Sequence, residues 1–105
     1  MDQNQAPLYQ ALSNYIKKKV TKLHLPGHQY GRGLTKEMVS LLGAASKFDL
    51  SVLEEIDSLS HPQSVIKKAQ ELAADCFGAE RTFFLINGST VGVIAMILSV
   101  CSLND

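Results

Sequence analysis

Thr82-Phe83-Phe84-Leu85-Ile86-Asn87-Gly88-Ser89-Thr90-Val91-Gly92-Val93-Ile94 decides how this chain is read. The first five residues are aromatic or β-branched and apolar on both faces, the pattern of a central strand buried on both sides. Asn87-Gly88-Ser89-Thr90 then supplies a tight turn, and an apolar helix is expected over about 89–102. At a helix start the backbone N–H groups lack intrahelical partners and the helix dipole places partial positive charge. Such a turn is suited to a phosphate, and the hydroxyls of Ser89 and Thr90 add donors in the same place. An ordinary strand-to-helix connection with a Ser or Thr N-cap is the competing reading. The turn is not a Walker loop, since no Gly-Lys-Ser/Thr follows. Nor do Gly88 and Gly92 make a dinucleotide fingerprint.

Outward from this unit the chain reads mostly helical. Pro7 to Lys19 is expected to form an amphipathic helix with Leu8, Leu12, Tyr15 and Ile16 on one face and Lys17, Lys18 and Lys19 in its last turn. His24 to Gly33 is broken by Pro26-Gly27 and loosened by Gly31 and Gly33. Thr35 caps a second helix, about 36–45, with Met38, Leu41, Leu42 and Ala45 as its apolar face. Phe48-Asp49-Leu50 reads as a brief extended piece. Ser51-Val52-Leu53-Glu54 fits a capping box, so a short helical turn should follow. A third helix runs from Gln63 to Phe77 on the pattern Ile66, Ala69, Gln70, Ala73, Cys76, Phe77, closed by Gly78. The last helix is apolar nearly all round, so neighbours are expected on every side of it.

Composition narrows the function classes. The chain has 105 residues, 46% hydrophobic and 19% charged, with ten basic and ten acidic side chains and zero formal net charge. It is globular rather than disordered, and it lacks the basic excess of a general nucleic-acid surface. Cys76 and Cys101 are too few for a disulfide framework and fall within apolar helical patterns, where buried free thiols are expected. A reducing cytoplasm fits. The polar start Met1-Asp2-Gln3-Asn4-Gln5 is unlike a signal peptide, and Val91 to Leu103 is too short to span a bilayer, so no membrane role is expected. One strand alone cannot make a sheet, and an α/β pattern would begin another strand after the last helix. The chain therefore reads as the N-terminal piece of a larger α/β domain.

Other chemistry-bearing residues point to less. His24 and His28 are four apart, but Pro26-Gly27 excludes the helix that would aim both at a metal, and no metal site is expected. A stiff loop whose histidines hydrogen-bond locally is the better reading. His61, before Pro62, reads as a turn residue. Ser89 is not in G-x-S-x-G, so no nucleophilic triad is expected. Asp49, Glu54, Glu55 and Asp57 surround a short helical turn and suit a solvated or capping role more than acid–base work.

Several segments together resemble one family. His24-Leu25-Pro26-Gly27-His28-Gln29-Tyr30-Gly31 resembles the H-x-P-G-H-x-x-G segment of the bacterial ornithine/lysine/arginine decarboxylases, which have the aspartate-aminotransferase fold (fold type I). Asp57-Ser58-Leu59-Ser60-His61-Pro62 is similar to that family's D-D-L-x-x-P segment. Ile66 to Ala79 is similar to its I-x-x-A-Q-x-x-A-A-x-x-F-G-A helix, and Asn87-Gly88-Ser89-Thr90 to its N-G-S-T turn. Ser58 departs from the family's usual Asp and Ser64 from its frequent Gly.

The resemblance implies pyridoxal 5′-phosphate as cofactor. It also implies decarboxylation of arginine, lysine or ornithine, and a cytoplasmic homo-oligomer when full length. Ser89 and Thr90 would hold the cofactor phosphate, with Gly88 permitting close approach. Residues 1–33 would form an N-terminal helix and loop segment, and 34–105 the start of the cofactor-binding large domain. The family's Schiff-base lysine sits in a Ser-x-His-Lys segment, and no lysine here follows a histidine. No catalytic residue and no turnover are therefore expected of these residues alone. The rival readings are a non-catalytic helical interaction module and another fold type I enzyme, an aminotransferase or a lyase.

Overall fold

The computed structural model describes residues 1–18, 20–21 and 23–101. Four α-helices follow in order: α1 Pro7–Lys17, α2 Lys36–Leu42, α3 Val65–Phe77 and α4 Ser89–Val100, with a 3-10 helix at Gly43–Lys47 continuing α2. Pro7 opens α1 at a position where its missing N–H costs nothing. The Thr35 hydroxyl accepts the Met38 N–H at 3.3 Å and caps α2, as the sequence predicts. Gly78, in the left-handed conformation, stops α3 where expected, its N–H reaching the carbonyls of Ala74 and Asp75.

α1 packs against α3, and the small core lies around this pair and the loops beside it. Its buried members are Tyr30, Ile56, Ile66, Leu72 and Ala74, with the Ser46 hydroxyl satisfied by the Gly43 carbonyl. On α1 the predicted face of Leu8, Leu12, Tyr15 and Ile16 is half-buried, while Lys19 falls outside the described residues. On α3 Ile66 is buried as expected, and Leu72 and Ala74 join it. Phe77, at the end of the predicted stripe, is 83% exposed.

Four expectations need correction. The central strand over 82–86 is absent: no strand occurs among the described residues, and the one isolated bridge joins Leu53 to Asp57. Strand composition supplies suitable side chains, but a strand exists only through hydrogen bonds to a neighbouring backbone, and none reaches this segment from the described residues. Phe83 is consequently 71% exposed. The last helix was expected to be covered on every side, yet α4 exposes Val91, Val93, Ile94, Met96, Ile97, Leu98 and Val100. Cys76 and Cys101 are exposed rather than buried: the side of α3 that carries Cys76 is uncovered, and Cys101 falls just past the end of α4 in extended backbone. The capping box at Ser51 does not form; the turn starts at Leu53, whose carbonyl accepts the N–H groups of Ile56 and Asp57. The apolar face of α2 is likewise open at Met38, Leu41 and Leu42. The Cα radius of gyration is 17.5 Å, against about 13 Å for a compact 100-residue domain. This chain thus leaves much of its apolar surface in water.

Candidate functional site: the Asn87–Thr90 turn and the His24–Gly33 loop

The turn predicted to bind an anion has the backbone such a role needs. Asn87 sits at φ +67°, a conformation asparagine tolerates better than most residues. Gly88 follows at φ +81°, ψ 176°, a region essentially reserved for glycine. These two residues reverse the chain into α4, whose first residue is Ser89. Gly88 is the N-cap, and no side chain caps the helix. The first amides of α4 therefore find no acceptor among the described residues, and the hydroxyls of Ser89 and Thr90 are also without a hydrogen bond there. Asn87, Gly88, Ser89 and Thr90 are exposed. A Cβ placed on Gly88 meets nothing within 4 Å, so the approach to the amides is open.

This donor set suits a phosphate dianion: several N–H groups at the positive end of a helix, two hydroxyls and no competing carboxylate cap. The turn is open, however, and the principal hollows of the surface lie elsewhere. An apolar one is lined by Leu8, Tyr9, Leu12, Phe48, Leu72 and Phe84, and a more polar one by Lys17, Lys18, Thr21, Gln29 and Arg32. At this turn the described residues present exposed donors on an open surface rather than a closed pocket.

The His24–Gly33 loop is built tightly, and both histidines bond locally as the sequence suggests. His24 donates from Nδ1 to the Leu25 carbonyl at 3.0 Å. Its ring lies between Tyr15 and Tyr30, with centroids 6.0 and 5.6 Å away. Burial, and secondarily Tyr15, pushes the Tyr30 hydroxyl above its ordinary pKa, so it stays neutral. Gln29, Tyr30 and Gly31 all have positive φ, three left-handed residues in succession. Gly31 packs against the 3-10 helix so closely that a Cβ there would lie 2.7 Å from Ser46 Oγ. His28 joins this turn to a distant segment. Its Nδ1 accepts the Gly31 N–H at 2.9 Å, and its Nε2 meets Asp49 Oδ2 at 3.1 Å. The His28–Asp49 pair spans 21 positions and could not be found from local spacing.

The acidic residues divide as the capping reading implies. Asp57, at φ +74°, accepts N–H groups from Ser58, Gln63, Ser64 and Ile66. Partial burial acts to raise its pKa, but these four donors outweigh it and hold the carboxyl far below the usual range. Glu55 pairs with Lys18 at the surface. His61 donates its N–H to the Ser58 carbonyl in a turn.

The described residues thus form a mostly helical unit whose last helix starts uncapped and carries two exposed hydroxyls. The family follows from comparison: residues 6–105 match the model of the Orn/Lys/Arg decarboxylase major domain, and the chain belongs to that family. An arginine decarboxylase of Bacillus subtilis (strain 168) is 37% identical over 106 residues, covering all of this chain and 22% of that protein. The uncharacterized protein YaaO of the same organism is 42% identical over 94% of this chain and 21% of its own length. A constitutive lysine decarboxylase of Escherichia coli (strain K12) is 30% identical over 86% of this chain and 14% of its own. The chain thus spans about a fifth of the length of the Bacillus relatives it matches. No solved structure matches it. No helix among the described residues is long and apolar enough to cross a membrane.

Proposed function

We propose that this chain is the N-terminal part of a pyridoxal 5′-phosphate-dependent decarboxylase of a basic amino acid, contributing one side of the cofactor phosphate site. The carrying observation is the uncapped start of α4, where free amides and the hydroxyls of Ser89 and Thr90 converge beyond Gly88. Family membership and relatives named arginine and lysine decarboxylase support the reaction class. Ser89 and Thr90 would hold the phosphate by O–H and N–H donation, and Gly88 would keep the approach free of a side chain. When bound, pyridoxal phosphate supplies an electron sink for the charge left as carbon dioxide departs. These residues anchor and orient; none of them moves a proton in the reaction. The fold type I architecture, a cytoplasmic location, an arginine, lysine or ornithine substrate and a homo-oligomeric full-length enzyme belong to the same proposal. So does the division at residue 33/34. Nucleic acid and membranes are not among its partners.

The test is titration of the ¹⁵N-labelled chain with inorganic phosphate and with pyridoxal 5′-phosphate, reading amide shifts. Saturable shifts centred on Gly88, Ser89, Thr90 and Val91 are expected. Replacing both Ser89→Ala and Thr90→Ala should weaken binding at least about tenfold, given the worth of hydrogen bonds to a charged acceptor. Shifts centred elsewhere, or unchanged affinity in the double variant, would overturn the assignment. The uncovered α4 favours a second reading, a helical interaction module. A folded self-associating chain without phosphate-dependent shifts would support that one instead.

A further inference from the structure

The geometry points to His28 as a proton-operated latch on the Gln29–Gly31 turn, independent of the phosphate site. The bonds at its two nitrogens dictate its state. Nδ1 accepts the Gly31 N–H, so Nδ1 carries no proton, and the hydrogen of the neutral ring sits on Nε2 and is donated to Asp49. A second proton has one place to go, Nδ1, where it would confront the Gly31 N–H across 2.9 Å. Two donors cannot share that space, so the ring and the amide must separate.

Asp49 determines how they separate. Its carboxylate accepts from Nε2 in both protonation states and gains an ion pair with the imidazolium, so the ring stays with Asp49 and Gly31 is released. Other groups do not offset this. Ser46, which faces Gly31 from the 3-10 helix, is uncharged and bonded to Gly43. Within the loop, His24 is a second titratable ring, bonded to the Leu25 carbonyl and packed on Tyr30 but not bonded to Gly31, and Arg32 lies exposed beyond the turn. The released turn is strained, with Gln29, Tyr30 and Gly31 at φ +50°, +61° and +89°. Such conformations persist only while neighbours impose them. The Gly31 bond to His28 is one of those restraints, so its loss lets the loop relax. The Gly31 contact is therefore coupled to proton concentration through His28.

The experiment is a pH titration of the ¹⁵N-labelled chain between pH 8 and 5, following the His28 ring nitrogens and amide exchange together. Protection of the Gly31 amide should fall at least tenfold in the same pH step that places a proton on His28 Nδ1. The Lys68 amide, bonded to Ser64 within α3, should keep its protection and so report against general unfolding. In His28→Asn, whose side-chain carbonyl offers Gly31 an acceptor that takes up no proton in this range, the step should vanish. The inference fails if Gly31 stays protected while His28 titrates. It fails equally if the asparagine variant shows the same step, or if Gly31 and Lys68 lose protection together.

Discussion

The Asp57 carboxylate accepts the backbone N–H of Ile66 at 3.1 Å, capping a helix that begins eight residues after it. Ser64, the residue positioned to cap α3, gives it no side-chain bond. Asp57 replaces it from outside, gathering the segment from Ser58 to Ile66 around one carboxylate.

Asp57→Ala should lower stability by about 1–2 kcal/mol, the range for loss of a helix cap. Denaturant unfolding followed by helical ellipticity measures it. The pH dependence has a definite sign. The folded-state pKa lies below the unfolded value of about 3.9, so the stabilisation is complete above that value and is lost as pH falls through the acid range. The advantage of wild type over Asp57→Asn should therefore shrink between pH 5 and 2.

Gly31→Ala should destabilise the loop by about 1–3 kcal/mol, the usual range for an imposed left-handed residue. Two causes contribute: φ of +89° and the approach of Ser46 Oγ. Ser46→Ala removes the second cause together with the hydroxyl's bond to Gly43, so in thermal melts Gly31→Ala should cost less in a Ser46→Ala background than in wild type. No cost in that background would show that backbone strain contributes nothing.

Gly88→Ala should abolish phosphate-dependent amide shifts at Ser89 and Thr90 while leaving α3 intact. The combination of φ +81° and ψ 176° is closed to alanine, so the turn must re-form and redirect the amides. Retention of wild-type phosphate affinity in this variant would remove the backbone argument for the site.

Leu98→Lys combined with Val100→Lys should raise solubility and reduce binding of a hydrophobic dye. Both side chains are largely exposed on α4 within an apolar patch. Helix content should hold, since lysine is a good helix former. Unchanged dye binding would place the open apolar surface elsewhere.

What could be read from the sequence was local. Leu8, Leu12, Tyr15 and Ile16 announce α1 by their period, Thr35 and Gly78 mark a start and a stop, and Gly88-Ser89-Thr90 marks the entry to α4. What failed depended on distant partners. Phe83 to Ile86 have strand composition, but composition supplies no neighbouring backbone. Ser51 to Glu54 have capping-box spacing, but Asp57 organises the chain there through residues up to nine positions away. Cys76 lies on a helical stripe of α3 and Cys101 just past the end of α4, and no packing element among the described residues covers either. For the candidate site, the hydroxyls and the glycine were legible. The His28–Asp49 link was not, because it joins segments that local periodicity treats separately.

The ring of His24 between Tyr15 and Tyr30 gives the loop an optical signature of its own. The chain contains no tryptophan, so phenolic emission is not masked by indole. Two of its three tyrosines adjoin this imidazole, and a shift of the loop changes how strongly they are quenched. Unlabelled protein in a fluorimeter can thus follow this segment directly.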